Sequence, residues 1–104
     1  MNGLEKLSLA FEQASVRYAA ANGIERSDDW FVLKLSEELG ELTQAWMKLT
    51  ARSRTHGKPQ TELRTAVDDE CADVLGHILL FAHRNGVDLA AAIERKWRFE
   101  PELG

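Results

Sequence analysis

The stretch Trp30-Phe-Val-Leu-Lys-Leu-Ser-Glu-Glu-Leu-Gly-Glu-Leu-Thr-Gln-Ala-Trp-Met-Lys-Leu49 contains no proline, and its apolar residues recur at helical rather than strand spacing. Advancing about 100° per residue from Trp30, the side chains of Phe31, Leu35, Leu42, Ala45, Trp46 and Leu49 form one stripe centred near roughly 120°. Glu38 falls near roughly 80°, inside that stripe, while Glu41 and Lys34 lie on its shoulder and Glu37 points further out, to solvent or to another chain. An ionised carboxylate among core side chains costs several kcal/mol unless it is paired or bound to metal. Glu38 therefore needs a partner in a way that Glu37 does not.

Working outward, Ser27, Asp28 and Asp29 offer N-caps for this helix, which is expected over about Asp29 to Ala51. Upstream, Leu4, Leu7, Phe11, Ala14, Val16 and Tyr18 predict a helix from about Leu4 to Ala21, stopped by Asn22-Gly23. Downstream, the polar stretch Arg52 to Gln60, with Gly57 and Pro59, reads as a loop. A third helix is expected from about Thr61 to Arg84, ending at Asn85-Gly86. Asp88 then caps a short fourth helix, about Leu89 to Trp97, and the tail from Phe99 looks irregular. Nothing alternates with β periodicity, so residues 1–104 read as one all-α domain.

The third helix repeats the anomaly of the second. Val67, Cys71, Val74, Leu75, Ile78 and Ala82 make an apolar stripe, and Glu70, Asp73 and His77 run along its edge. Glu38/Glu41 and Glu70/Asp73 are both i,i+3 pairs, so each pair projects from one side of its helix. If the two long helices pack antiparallel across the Arg52–Gln60 loop, the pairs face each other near mid-helix. Four crowded carboxylates repel without a cation, and an all-oxygen set favours Mg²⁺, or Mn²⁺, over zinc. Either acidic run alone is commonplace on a solvated helix. Two such pairs, on apolar shoulders of consecutive long helices, form the sharper signal.

Composition narrows the classes further. A net charge of −4 and a pI near 5.3 argue against binding a nucleic-acid polymer, which needs a basic face. They leave a nucleotide substrate open, because a bound divalent cation reverses the local sign of a carboxylate site. No basic start followed by an apolar stretch and no membrane-length apolar run is seen, and Cys71 is alone, so the expected compartment is cytoplasmic, with no membrane partner. Cys71 is expected to be a small buried or half-buried side chain.

Lys34-Leu-Ser-Glu-Glu-Leu-Gly-Glu41-Leu resembles the first signature, K-L-x-E-E-x-x-E, of the MazG-like all-α nucleoside triphosphate pyrophosphohydrolases. Glu70-Cys-Ala-Asp73-Val-Leu resembles their second, E-x-x-D followed by apolar residues. The Asn85-Gly86-Val-Asp88-Leu turn and the helix ending Lys96-Trp97 resemble the family's close, so the likeness spans about Trp30 to Arg98. It implies a four-helix MazG-like bundle whose two long antiparallel helices carry the metal site. It also implies Mg²⁺ ligation by Glu38, Glu41, Glu70 and Asp73, with Glu37 as a further acidic position and Lys96 near the phosphates. The implied reaction converts a nucleoside or deoxynucleoside triphosphate to the monophosphate and pyrophosphate, with Glu41 or Glu37 as general base. Two departures stand out: Leu80 where many members carry asparagine, and no arginine pair after Lys96 beyond Arg95 and Arg98.

The remaining site residues carry two readings each. Lys34 is either a phosphate contact or an intrahelical partner of Glu38. Trp30, off the stripe at the start of its helix, is the candidate for stacking on a base, whereas Trp46 belongs to core packing. His77 reads as a packed or surface histidine. Competing functions are a phosphoribosyl-ATP pyrophosphohydrolase and a non-enzymatic helical interaction or oligomerisation module. A di-iron bundle wants Glu-x-x-His twice, and no glutamate here is followed by histidine three residues on. Leu33, Gly40 and Met47 align at seven-residue spacing away from the main stripe, and with the resemblance they lead to the expectation of a homodimer or homotetramer.

Overall fold

The computed structural model describes residues 1–104 and contains four helices and no strands: α1 (Gly3–Asn22), α2 (Asp28–Leu49), α3 (Gln60–Arg84) and α4 (Leu89–Trp97). Local chemistry fixes the ends. Asn2 and Glu5 form a reciprocal capping box on α1, and Gly23, in the left-handed region, closes it. Ser27 accepts the Trp30 N–H at the start of α2, and Asp88 accepts the Ala91 N–H at the start of α4. No helix is long and apolar enough to cross a membrane.

α3 is the hub. It packs along α2 and crosses α1. The α2–α3 pair is antiparallel: Arg84 at the end of α3 reaches Asp28 at the start of α2 at 2.8 Å, while Lys48 at the end of α2 and Glu62 at the start of α3 line one cleft. α1 lies close on α3 at Gly76, where an added Cβ would stand 2.7 Å from the Phe11 ring. Arg26 returns to α1 through a two-pronged pair with Glu12, at 2.7 and 2.8 Å. α4 makes at most marginal contact with the other helices, so the expected four-helix bundle is, within one chain, a three-helix layer with α4 standing off it. The chain ends meet where the Gly3 N–H donates to the Leu103 carbonyl at 2.8 Å.

The buried faces correct the stripes expected from periodicity. On α2 the buried residues are Phe31, Glu38 and Ala45, so the core face is centred on Glu38 itself. Trp46, expected in the core, is 47% exposed. On α3 the buried residues are Leu63, Val67, Gly76, Leu79, Leu80 and Ala82, whereas Cys71, Leu75 and Ile78 are exposed. The reason is that α3 faces α2 from the Glu62 end to Arg84 and meets α1 as well at Gly76, so its covered face widens towards the C-terminal end and is not a single stripe.

Large apolar side chains consequently remain uncovered. Val32, Leu39 and Trp46 follow each other at seven-residue intervals on one shoulder of α2. Because the helices run antiparallel, Cys71, Leu75 and Ile78 extend the same side of the pair, opposite the shoulder bearing Lys34, Asp73 and His77. The chain exposes 7477 Å², against about 5,900 Å² for a folded monomer of this mass. Its radius of gyration is 16.0 Å, against about 13 Å for a self-contained domain of this length.

Candidate metal centre

The acidic residues of α2 and α3 gather at mid-helix. Carboxylate oxygens of Glu38, Glu70 and Asp73 lie within 4.8 Å of one another, and those of Glu37, Glu38 and Glu41 do the same. Glu38 belongs to both groups and is buried; Glu70 is half-buried, and Glu37, Glu41 and Asp73 are exposed. The Glu38 Oε2 and Glu70 Oε2 atoms are buried without any hydrogen-bond partner. Orphaned carboxylate oxygens are costly in a folded protein. Two of them facing a shared acidic cluster fit a divalent cation of the hard, oxygen-seeking kind.

The electrostatics follow from this crowding. Burial pushes the Glu38 carboxyl up to about 7, Glu41 and Asp73 push it the same way, and Lys34 opposes them. Burial also raises the Glu70 carboxyl, helped by Glu41 and Asp73. Glu41 thus acts on both Glu38 and Glu70. Lys34 is the one cation in the cluster, 3.3 Å from Glu37 and 3.6 Å from Glu38. Burial disfavours its charged form, but the two glutamates outweigh that and raise its pKa. The intrahelical pairing expected for Lys34 is therefore present, and the residue also lines the adjoining cleft.

That cleft, of about 430 Å³, opens between α1, α2 and α3. Phe11, Tyr18, Ile24 and Trp30 form its apolar wall, and Lys34, Glu38, Asp73 and His77 form its polar one. Trp30 stands edge-on to Phe31 at 5.0 Å and to His77 at 6.0 Å between ring centres. His77 Nδ1 is buried without a partner, and burial together with Lys34 lowers its pKa, against Asp73 and Glu37. Of the expected substrate contacts, Trp30 and Lys34 therefore line the cleft beside the acids. Lys96 does not: it is exposed on α4, away from the cluster.

Sequence reading missed the α1 wall altogether. Phe11, Ser15 and Tyr18 carry no motif, and only the tertiary crossing brings them to the acids. His77 carried a signal, one turn beyond Asp73 on the acidic edge, which was outweighed by the frequency of plain packed histidines. Comparison with protein-family models, with curated proteins and with solved structures finds no match.

The raised acids predict a pH dependence. With a folded-state value near 7 against an ordinary 4.5, Glu38 holds its proton more tightly in the folded chain. Stability without a divalent cation therefore falls as pH rises from about 4.5 to 7. Cation binding needs the ionised form, so its stabilising effect grows over the same range. Thermal melts with and without Mg²⁺ should differ little at pH 5. At pH 8, with Mg²⁺ about a hundredfold above its Kd, they should differ by roughly 10–20 °C. A shift of equal size at both values would contradict this account of Glu38.

Proposed function

We propose that the chain is a divalent-cation-dependent hydrolase that converts a nucleoside or deoxynucleoside triphosphate to its monophosphate and pyrophosphate. The observation that carries the reading is the pair of orphaned buried carboxylate oxygens, on Glu38 and Glu70, set between Asp73 and Glu41 at the mouth of an aromatic cleft. Glu38, Glu41, Glu70 and Asp73 would hold Mg²⁺, with Mn²⁺ as the alternative occupant. When bound, the cation neutralises phosphate charge and makes water a better nucleophile. Glu37 or Glu41, both exposed at the edge of the cluster, would take the proton from the attacking water. The cleft suits a base and sugar, with Trp30 beside the aromatic ring and Lys34 towards the phosphates. The motif resemblance supports the same reaction class and includes phosphoribosyl-ATP as an alternative substrate.

We infer further that the working form is a homodimer or homotetramer. Roughly 1,600 Å² of surface above the monomer norm is ample for a standard interface, which takes about 800 Å² from each partner. The uncovered α2–α3 shoulder supplies an apolar face for it. An assembly of this kind would also give α4 and Lys96 a surface to meet. Incubating a panel of nucleoside and deoxynucleoside triphosphates with Mg²⁺ tests the activity: equimolar monophosphate and pyrophosphate are expected from at least one. Release of inorganic phosphate alone, or turnover of none, would refute it.

A further inference from the structure

A second cleft, of about 460 Å³, lies on the other side of the acidic cluster, towards the loop between α2 and α3. Glu41 and Glu70 line it, just as Glu38 and Asp73 line the first, so the two clefts meet at the acids. They differ in character. The first is aromatic, and its one cation, Lys34, is held by Glu37 and Glu38. The second has no phenylalanine, tyrosine or tryptophan, and it is lined by Lys48, His56 and Lys58.

The loop that carries His56 and Lys58, beyond Lys48 at the end of α2, has a definite shape. α2 ends with the Arg52 N–H donating to Met47 O at 2.8 Å and the Ala51 N–H donating to Lys48 O at 3.1 Å, with Ala51 in the left-handed region. His56 and Gly57, both at positive φ, then turn the chain so that the Lys58 N–H reaches Thr55 O at 3.1 Å. The segment from Lys48 to Lys58 holds Lys48, Arg52, Arg54, His56 and Lys58 and no acid, in a chain of net charge −4. α3 begins at its end without a side-chain cap, so the positive end of a long helix adds to the field there. Against Lys48 and Lys58 stand four carboxylates of the same lining: Glu41 and Glu70, which the hydrolase reading assigns to the cation, and Glu62 and Asp69, of which Glu62 touches Lys58 only loosely, at 3.9 Å.

We propose that this second cleft is a polyphosphate subsite, in which Lys48, His56 and Lys58 hold the β- and γ-phosphates and then the departing pyrophosphate. The inference rests on the hydrolase reading and fixes the direction in which the substrate lies: base in the aromatic cleft, α-phosphate at the acids, β,γ end under the loop. In that arrangement the water oxygen bonds to the α-phosphorus as the bond from it to the bridging oxygen breaks. The electron pair leaves on pyrophosphate, and the water proton goes to a glutamate at the cluster edge. Negative charge thus develops on the side where the lysines stand. Lys48 is two turns, about 10 Å, beyond Glu41 along α2, within reach of a phosphate chain that starts at the acids.

Calorimetric titration of inorganic pyrophosphate in the presence of Mg²⁺, and separately of a nucleoside monophosphate, tests the assignment. Lys48→Ala/Lys58→Ala should weaken pyrophosphate binding by about tenfold or more while changing monophosphate binding by less than about twofold. Lys48→Arg/Lys58→Arg should restore most of it and show that the loss is one of charge. Unchanged pyrophosphate affinity in the alanine variant, an equal loss for both ligands, or no pyrophosphate binding by the parent chain would each overturn the subsite. If the parent hydrolyses nucleotides in those cases, the hydrolase reading survives alone. A parent that turns over no nucleotide, yet loses pyrophosphate binding with the lysines, would keep the anion site and remove the hydrolase.

Discussion

Glu38→Gln should lower Mg²⁺-dependent nucleotide turnover by roughly a thousandfold while leaving the metal-free fold as stable as the parent, or slightly more so. The two signs differ for one physical reason. In the metal-free chain Glu38 is a buried acid with an unpartnered oxygen, at the centre of the α2 core face. A neutral amide of the same shape removes the repulsion with Glu41 and Asp73. With the cation present the same change would remove a proposed ligand common to both acidic groups, and several kcal/mol of transition-state stabilisation would go with it. Asp73→Ala should be similarly inactive and still helical. Glu37→Ala should keep metal affinity and lose rate, since Glu37 is exposed and bonded to Lys34. Steady-state kinetics, circular dichroism and Mg²⁺ titration read these outcomes separately. Parent-like turnover or Mg²⁺ affinity in Glu38→Gln would mean that the site is misassigned.

The second large effect concerns assembly. At micromolar concentration the parent should sediment as a dimer or larger, and Leu39→Glu/Trp46→Glu should sediment as a monomer with lowered activity. Both residues lie on the uncovered shoulder of α2, 53% and 47% exposed. A charge placed there costs little in a lone chain and much in an apolar interface. Gly40 lies on the Leu33–Met47 line, next to this shoulder. A Cβ at Gly40 meets nothing within 4 Å, so Gly40→Ala in an isolated chain gains helix propensity, about 1 kcal/mol. Gly40→Leu should weaken association only if a second contact closes over that line, as a tetramer requires. A monomeric parent in sedimentation equilibrium would end the assembly proposal.

How far the fold was legible depended on whether the signal was local. The ends of the four helices were readable within a residue or two, because Asn22-Gly23, Ser27 and Asp88 act on their own neighbours. The anomaly of Glu38 was readable too, since a charge at the centre of an apolar periodicity is visible in one helix. The centre of that periodicity was not. Trp46 and Leu75 are large and apolar, and they pull the reading towards a shoulder that no part of the chain covers. Periodicity identifies an apolar face without distinguishing a core from a surface for another copy. The clefts were illegible for a related reason. Phe11 comes to the acidic cleft because α1 crosses α3 at Gly76, and Lys48 and Lys58 line one cleft because the loop turns back at His56-Gly57.

The central claim is that a water molecule brought to the acidic cluster attacks the α-phosphorus of a nucleoside triphosphate. Turnover in ¹⁸O-labelled water, with mass analysis of both products, tests it most directly. The account predicts one labelled oxygen in the nucleoside monophosphate and none in pyrophosphate. Label in pyrophosphate or in released inorganic phosphate would place the attack elsewhere and contradict it.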